Sequence, residues 1–327
     1  MFSAIYIEEE VRGWDRVKKI LKRFPGIPKI NCDRYGEVFN KNSQNFRLQK
    51  KAPALILAKK YGNFVLPSPE GYGFGTGKSY YFSHMLNCLY DCRYCFLQGM
   101  FRSANYVLFV NYEDFASQIE EIIDNQEGSS VYYSGYDCDS LAMEPISQFT
   151  EFFLPVFERN PNATLEIRTK SMQIRCLTDR PAIPNCIVAM SFTSYNSTRQ
   201  FEHKVAPVQK RIQALHKLQR SGWRIGLRFE PIIFEQNILK NYSDLFDDIF
   251  GSLDAGLIHS VSLGEFRMPI SFHKDIVKLY PDEELYARET EIADGVVSLK
   301  DTNTNVMEQI EKLLLEYIQP KQYYRCA

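Results

Sequence analysis

No stretch of the sequence approaches the roughly 18 apolar residues that mark a membrane-crossing helix, so no membrane span is expected. Net charge is equally scarce. With 39 basic residues against 40 acidic ones, there is no global field to draw the chain onto nucleic acid or an anionic bilayer. Eight cysteines in 327 residues do not suggest the disulfide framework of a secreted domain. Met1 to Glu10 lacks the basic start and small-residue cleavage site of a secretory leader. These absences together predict a reducing, cytoplasmic setting. No internal repeat and no low-complexity tract interrupts the sequence.

What is present is the balance of a globular protein. Hydrophobic residues make up 45% and charged residues 24%, enough to bury a large core. Aromatics reach 14%, including 20 Tyr and 23 Phe, and read as lining for that core and for a cleft. The length suits one α/β barrel or two compact domains.

Residues 1–77 read as an N-terminal extension. It holds a basic amphipathic helix over Asp15 to Arg23, stopped by Pro25-Gly26. It ends in the Gly- and Pro-rich loop Pro67 to Gly77. Residues 78–327 then alternate. Strands are predicted over Tyr80 to Leu86, Tyr106–Val110, Ser130–Ser134, Thr164–Thr169, Ile187–Phe192, Arg224–Phe229 and His259–Leu263. Helices are predicted over Tyr112–Asp124, Pro145–Glu158, Val208–Arg220, Tyr242–Leu253 and Val306–Tyr317. Such alternation implies a parallel sheet with crossover helices, open or barrel-like, with its ligands at the carboxyl ends of the strands.

The chemistry concentrates in Cys88, Cys92 and Cys95, spaced C-x3-C-x2-C directly after the first of those strands. Three thiolates so close repel one another unless a metal neutralises them. Three is one ligand short of a closed tetrahedral site, and a [4Fe–4S] cluster held by three cysteines keeps one iron open. Two other readings stand beside it. One is a structural zinc with His84 as fourth ligand. The other is three small buried thiols, which the polar neighbours Asn87, Asp91 and Arg93 disfavour.

The C-x3-C-x2-C spacing with an aromatic, Tyr94, before the last cysteine resembles the signature of radical S-adenosylmethionine (SAM) enzymes. Cys95-Phe96-Leu97-Gln98, Arg168-Thr169-Lys170, Ser191-Phe192, Ala206-Pro207 and Arg267-Met268-Pro269 resemble the spore photoproduct lyase family in order and spacing. Asn45-Phe46-Arg47 and the stretch from Leu55 to Lys60 add to the likeness. The resemblance implies a partial (β/α)6 barrel of the TIM type, with the cluster at its open rim and the N-terminal extension against one side.

It also implies two cofactors, a [4Fe–4S] cluster on Cys88, Cys92 and Cys95, and SAM. Tyr94 would lie near the adenine, Lys170 would meet the SAM carboxylate, and Ser191 would contact SAM. Ser134-Gly135 would approach the SAM amino group, glycine allowing close backbone approach. Reductive cleavage to a 5′-deoxyadenosyl radical would follow, with hydrogen abstraction from a DNA pyrimidine lesion or from a non-nucleic substrate. A flavodoxin or ferredoxin would supply the electron.

Two departures concern the end of the reaction. Where the family returns a hydrogen atom from a cysteine, alignment on Asp139 puts Tyr136, with Cys138 two residues on. Where it has a relay tyrosine after the third cluster cysteine, this chain has Phe96. The donor therefore stands open between Cys138, Tyr136 and neither. Cys32, Cys176, Cys186 and Cys326 read as structural. Arg267 matches a DNA-facing arginine, yet the surrounding C-terminal segment carries Glu289, Glu291 and Asp294 beside Arg288 and Lys300, weak for phosphate binding.

Overall fold

The computed structural model describes residues 2–69, 74, 77–300 and 304–326. Most of the predicted Gly- and Pro-rich loop lies outside them. The centre is a curled eight-stranded sheet. Its order from one edge is Tyr323–Arg325, Ile258–Glu265, Arg224–Ile232, Cys186–Ser191, Ala163–Thr169, Ser130–Ser134, Lys78–Phe82 and Val65–Pro67. Every pairing is parallel except the last. The six strands from Lys78–Phe82 to Ile258–Glu265 form the expected half-barrel, with a further strand at each edge. Their middle residues read as apolar runs because helices cover the outer face. Ile187, Val188, Ala189 and Met190 have no exposed surface.

The covering helices include Tyr112–Asp124, Phe149–Glu158, Val208–Arg220, Ile238–Phe250 and Thr304–Leu315. The helix predicted as one piece over Pro145–Glu158 is broken. Glu144–Ser147 forms one turn, Gln148 takes a left-handed φ of 52°, and the helix restarts at Phe149. The buried Glu144 carboxyl accepts from the Thr150 N–H at 3.0 Å, so it satisfies an orphan donor of the second helix and stabilises the break.

A second sheet of five strands lies beside the barrel. Lys29–Cys32, Ile5–Glu8, Leu55–Ala58 and Tyr106–Phe109 are parallel, and Met85–Leu86 adds antiparallel at the end. The strand predicted over Tyr80 to Leu86 is therefore two strands in two sheets, with Ser83 and His84 at the crossing. The crossing positions the cysteine loop. It leaves Met85–Leu86 and returns through Tyr106–Phe109, so both its ends are fixed to the same sheet.

Candidate active site

Asn87 opens the cysteine loop with a left-handed φ of 70°. Its buried side-chain amide donates to the carbonyls of Ser103 and Asn105, both at 2.7 Å, which closes the loop on itself. Asp91 and Cys92 then pair antiparallel with His203 and Glu202. Asp91 accepts from Arg93 at 2.7 Å and Gln98 at 2.9 Å, and lies 3.7 Å from the Lys50 ammonium. The N-terminal region, the barrel and the segment carrying Glu283, 3.2 Å from Arg93, thus all hold this loop.

One cavity of about 500 Å³ opens at the carboxyl ends of the barrel strands. Cys88, Cys92, Tyr94, Cys95, Gly135, Tyr136, Cys138, Lys170, Ser191 and Arg267 all line it. Of the residues that the resemblance assigns to the cluster, SAM, the hydrogen donor or DNA, only Ser134 is left out. Its hydroxyl points into the sheet, donating to the Glu166 carbonyl at 3.0 Å and pairing with Ser140 Oγ at 2.8 Å. Gly135 has a φ of 83°, and a Cβ there would stand 2.5 Å from Ser140 Oγ. The need for glycine therefore comes from the loop's own fold.

Asp139 organises this rim. Its carboxylate accepts from Leu141 N, Ala142 N, Thr169 Oγ1 and Lys170 N, at 2.6 to 3.0 Å. The loop after Ser134 is thereby tied to the end of strand Ala163–Thr169, and Lys170 is set at the cavity wall. The Lys170 ammonium lies 3.4 Å from Glu202 and 5.4 Å from the Tyr94 ring centre. The Tyr94 hydroxyl donates to the same Glu202 carboxylate. Beneath the cavity, the buried pair Arg228–Glu166, at 2.7 Å, supports Arg168 at 2.9 Å.

Burial raises all three loop thiols; Cys95 adds to the rise of Cys88, and both add to that of Cys92. Cys88 is pushed up to about 12 by burial, with Asp139 and Cys95 adding to it. Cys92 is raised well above its ordinary value, by burial against the pull of Lys170. Such a trio takes its thiolate form only around a bound cation, which deprotonates its ligands. Among the described residues, no three His, Cys, Asp or Glu side chains converge on one point, as ligands of a single ion must. Thiolates of an iron–sulfur cube each hold a different iron and need not converge. His84, the fourth ligand of the zinc alternative, is turned into the aromatic core. Its ring stacks on Phe149 at 4.5 Å and both its nitrogens lack partners.

The donor candidates differ in setting. Cys138 is buried, packs with the core of the second sheet, and has its thiol raised well above the ordinary range by burial. The Tyr136 ring lies 4.4 Å from Tyr81 and 5.5 Å from Phe96, tilted against both.

Three residues came to the site unannounced. Cys326, read from the sequence as structural, lines the cavity. Its N–H donates to the Leu263 carbonyl at 2.9 Å, extending the edge strand Tyr323–Arg325, and its sulfur lies 3.7 Å from the Arg267 guanidinium. Glu202 and Arg211 form a wholly buried pair at 2.6 Å. Their only sequence signal is position, on either side of Ala206-Pro207.

A model of the spore photoproduct lyase family matches residues 76–295, about two thirds of the chain. The chain belongs to the spore photoproduct lyase family. As a member of the spore photoproduct lyase family, it is a radical SAM enzyme of the lyase type. The spore photoproduct lyase of Bacillus subtilis is 21% identical over 292 residues, covering 86% of this chain and 83% of its own. That of Clostridium acetobutylicum is 21% identical over 291 residues, covering 87% and 84%. A solved double mutant of spore photoproduct lyase with bound AdoMet and dinucleoside spore photoproduct superposes with a TM-score of 0.85. Its identity is 16%, over 100% of this chain and 98% of that one. A spore photoproduct lyase complexed with dinucleoside spore photoproduct gives a TM-score of 0.84 at 16% identity, over 99% of each chain. These likenesses bear on the fold.

Proposed function

We propose that this protein holds a [4Fe–4S] cluster on Cys88, Cys92 and Cys95, binds SAM beside it, and acts on a pyrimidine lesion in DNA. One observation carries the reading. A single cavity gathers the three loop cysteines with Tyr94, Lys170 and Ser191, the positions the family resemblance assigns to SAM. When bound, the reduced cluster and SAM together supply a 5′-deoxyadenosyl radical that takes a hydrogen atom from the substrate. The chain's own residues bind and orient. Lys170 offers a point cation to a carboxylate, Ser191 a hydroxyl at the strand end, and Tyr94 an aromatic wall. The Gly135 backbone stands at the rim. A cytoplasmic flavodoxin or ferredoxin is the electron donor in this reading.

Cys138 and Tyr136 are the candidate hydrogen donors. Donation of a hydrogen atom needs the S–H form, and burial keeps the Cys138 thiol protonated. Turnover in deuterated solvent tests it. If Cys138 is the donor, the product carries solvent deuterium and Cys138→Ala abolishes that label, whereas Tyr136→Phe leaves it.

The DNA lesion rests on the relatives, one of which was solved with a dinucleoside photoproduct. A non-nucleic substrate is a second reading favoured by the cavity mouth. There Glu230 and Glu265 accompany Arg267, and the hairpin Thr290–Ala293 and Val296–Leu299 carries Glu291 and Asp294. Incubation with irradiated DNA separates the two. Recovery of thymine supports the lesion. Formation of 5′-deoxyadenosine without thymine recovery removes the thymine lesion as substrate and leaves the radical SAM reading.

A further inference from the structure

The Glu202 carboxylate is fully buried, yet four donors or cations surround it. Arg211 Nη2 stands at 2.6 Å, Lys170 Nζ at 3.4 Å and Thr193 Oγ1 at 3.5 Å, and the Tyr94 hydroxyl donates to it as well. Arg211 is equally buried, and its other nitrogen donates to the Ser191 carbonyl at 2.7 Å. The Glu202 backbone is paired to Cys92. One residue therefore touches the lysine, the tyrosine and a loop cysteine of the site, and reaches the serine through Arg211.

Among Glu202, Arg211 and Lys170 the charges do not cancel, and Lys170 also pulls on the Cys92 and Cys95 thiols. Two cations, Arg211 and Lys170, share one carboxylate. Arg211 is sealed in, whereas Lys170 lines the cavity. Asp139 meets Lys170 only at its backbone N–H, at 2.6 Å. The excess positive charge is thus presented to the cavity through Lys170, where a carboxylate-bearing ligand can take it. A buried ammonium without a counter-ion is costly, so Glu202 stabilises it when no ligand is there.

We propose that Glu202, oriented by Arg211, is a positioning residue of the SAM site: it holds the Lys170 ammonium until the ligand carboxylate takes it over. This rests on the SAM-binding reading above. Arg211 sets the strength of the hold. With Arg211 in place, the carboxylate is shared and releases Lys170 readily. Without it, Glu202 spends its whole charge on Lys170 and competes with the ligand.

The test is SAM affinity of the anaerobically cluster-loaded protein, read by equilibrium dialysis without reductant, so that binding and not turnover is measured. Arg211→Met should weaken SAM binding by about tenfold or more, since the freed carboxylate retains Lys170. The double variant Glu202→Gln, Arg211→Met removes both charges with little change of shape, and the new amide still meets the Tyr94 hydroxyl. It should bind SAM about threefold or more tightly than Arg211→Met does, because the competitor is gone. A merely structural pair gives the opposite order, with the double variant at least as weak as the single one, and that order overturns the proposal. So does a loss below tenfold in Arg211→Met. Should Arg211→Met fail to fold, Arg211→Gln takes its place in the same comparison with the double variant. If the cluster-loaded wild-type protein retains no SAM, the proposal and the reading beneath it both fall. If it retains SAM and the series runs otherwise, only the proposal falls.

Discussion

His84 shows how a single side chain separates two accounts of the cysteine loop. Its ring is fully buried against Phe149, with neither nitrogen partnered, and burial lowers its pKa from 6.5 to about 3. The folded protein therefore keeps the ring neutral, while the unfolded chain binds a proton below about pH 6.5. Stability is fully present above that pH and falls as the pH drops toward 3. His84→Phe removes the titrating group and the two unpaired nitrogens while keeping the stack. It should flatten the stability loss between pH 6.5 and 4 and stabilise the fold by about 1–2 kcal/mol at pH 5, as read by urea unfolding at both pH values. Metal content should not change. A loss of bound metal in this variant would revive the zinc alternative.

At the scale of elements, the loop depends on its neighbours. The turn Leu97–Met100 follows the third cysteine and packs against the helix Ile270–Leu279. Gly99 is the point of contact, where a Cβ would come within 2.2 Å of the Phe272 carbonyl and 2.7 Å of Ile276. Gly99→Ala should force the two apart, destabilise the protein by about 1–3 kcal/mol and lower the iron retained per chain, checked by thermal melts and iron analysis. Wild-type iron retention in a destabilised variant would show that this contact serves the fold and not the loop. The parallel barrel strands were legible because burial on both faces leaves apolar runs of helix-separated residues. The switch at Ser83 and His84 was not, since a strand that changes sheets keeps its alternation. The second sheet escaped notice too. It is assembled from strands of two to four residues far apart in the chain, and no local period marks their pairing.

At the scale of the whole molecule, the same division holds for the site. The cysteine loop was legible because its three cysteines are close in sequence, and Lys170 and Ser191 through the family resemblance, which falls at the ends of barrel strands. Glu202, Arg211 and Cys326 meet the cavity only through tertiary folding, and a lone acid or thiol carries no spacing to betray it. Ser134 lies off the cavity because strand alternation turns its hydroxyl to the sheet side of the rim. The hairpin near Arg267 turns at Asp294 and Gly295, both with positive φ, and exposes Ile292 at 60% among acidic residues. Any grip on DNA by this face should therefore involve few phosphate contacts, so its affinity should fall only shallowly with salt. A steep salt slope in gel-shift titrations would place the basic residues of residues 1–77 on the DNA instead.

Cys88, Cys92 and Cys95 are proposed to hold a cluster that, with SAM, starts radical chemistry. This is tested most directly by anaerobic reconstitution followed by dithionite and SAM, with iron and 5′-deoxyadenosine measured on the same sample. The wild-type protein should be brown with about four irons per chain and should form 5′-deoxyadenosine, and Cys92→Ala should lose both. A colourless protein carrying one zinc per chain, with no 5′-deoxyadenosine formed, would contradict it.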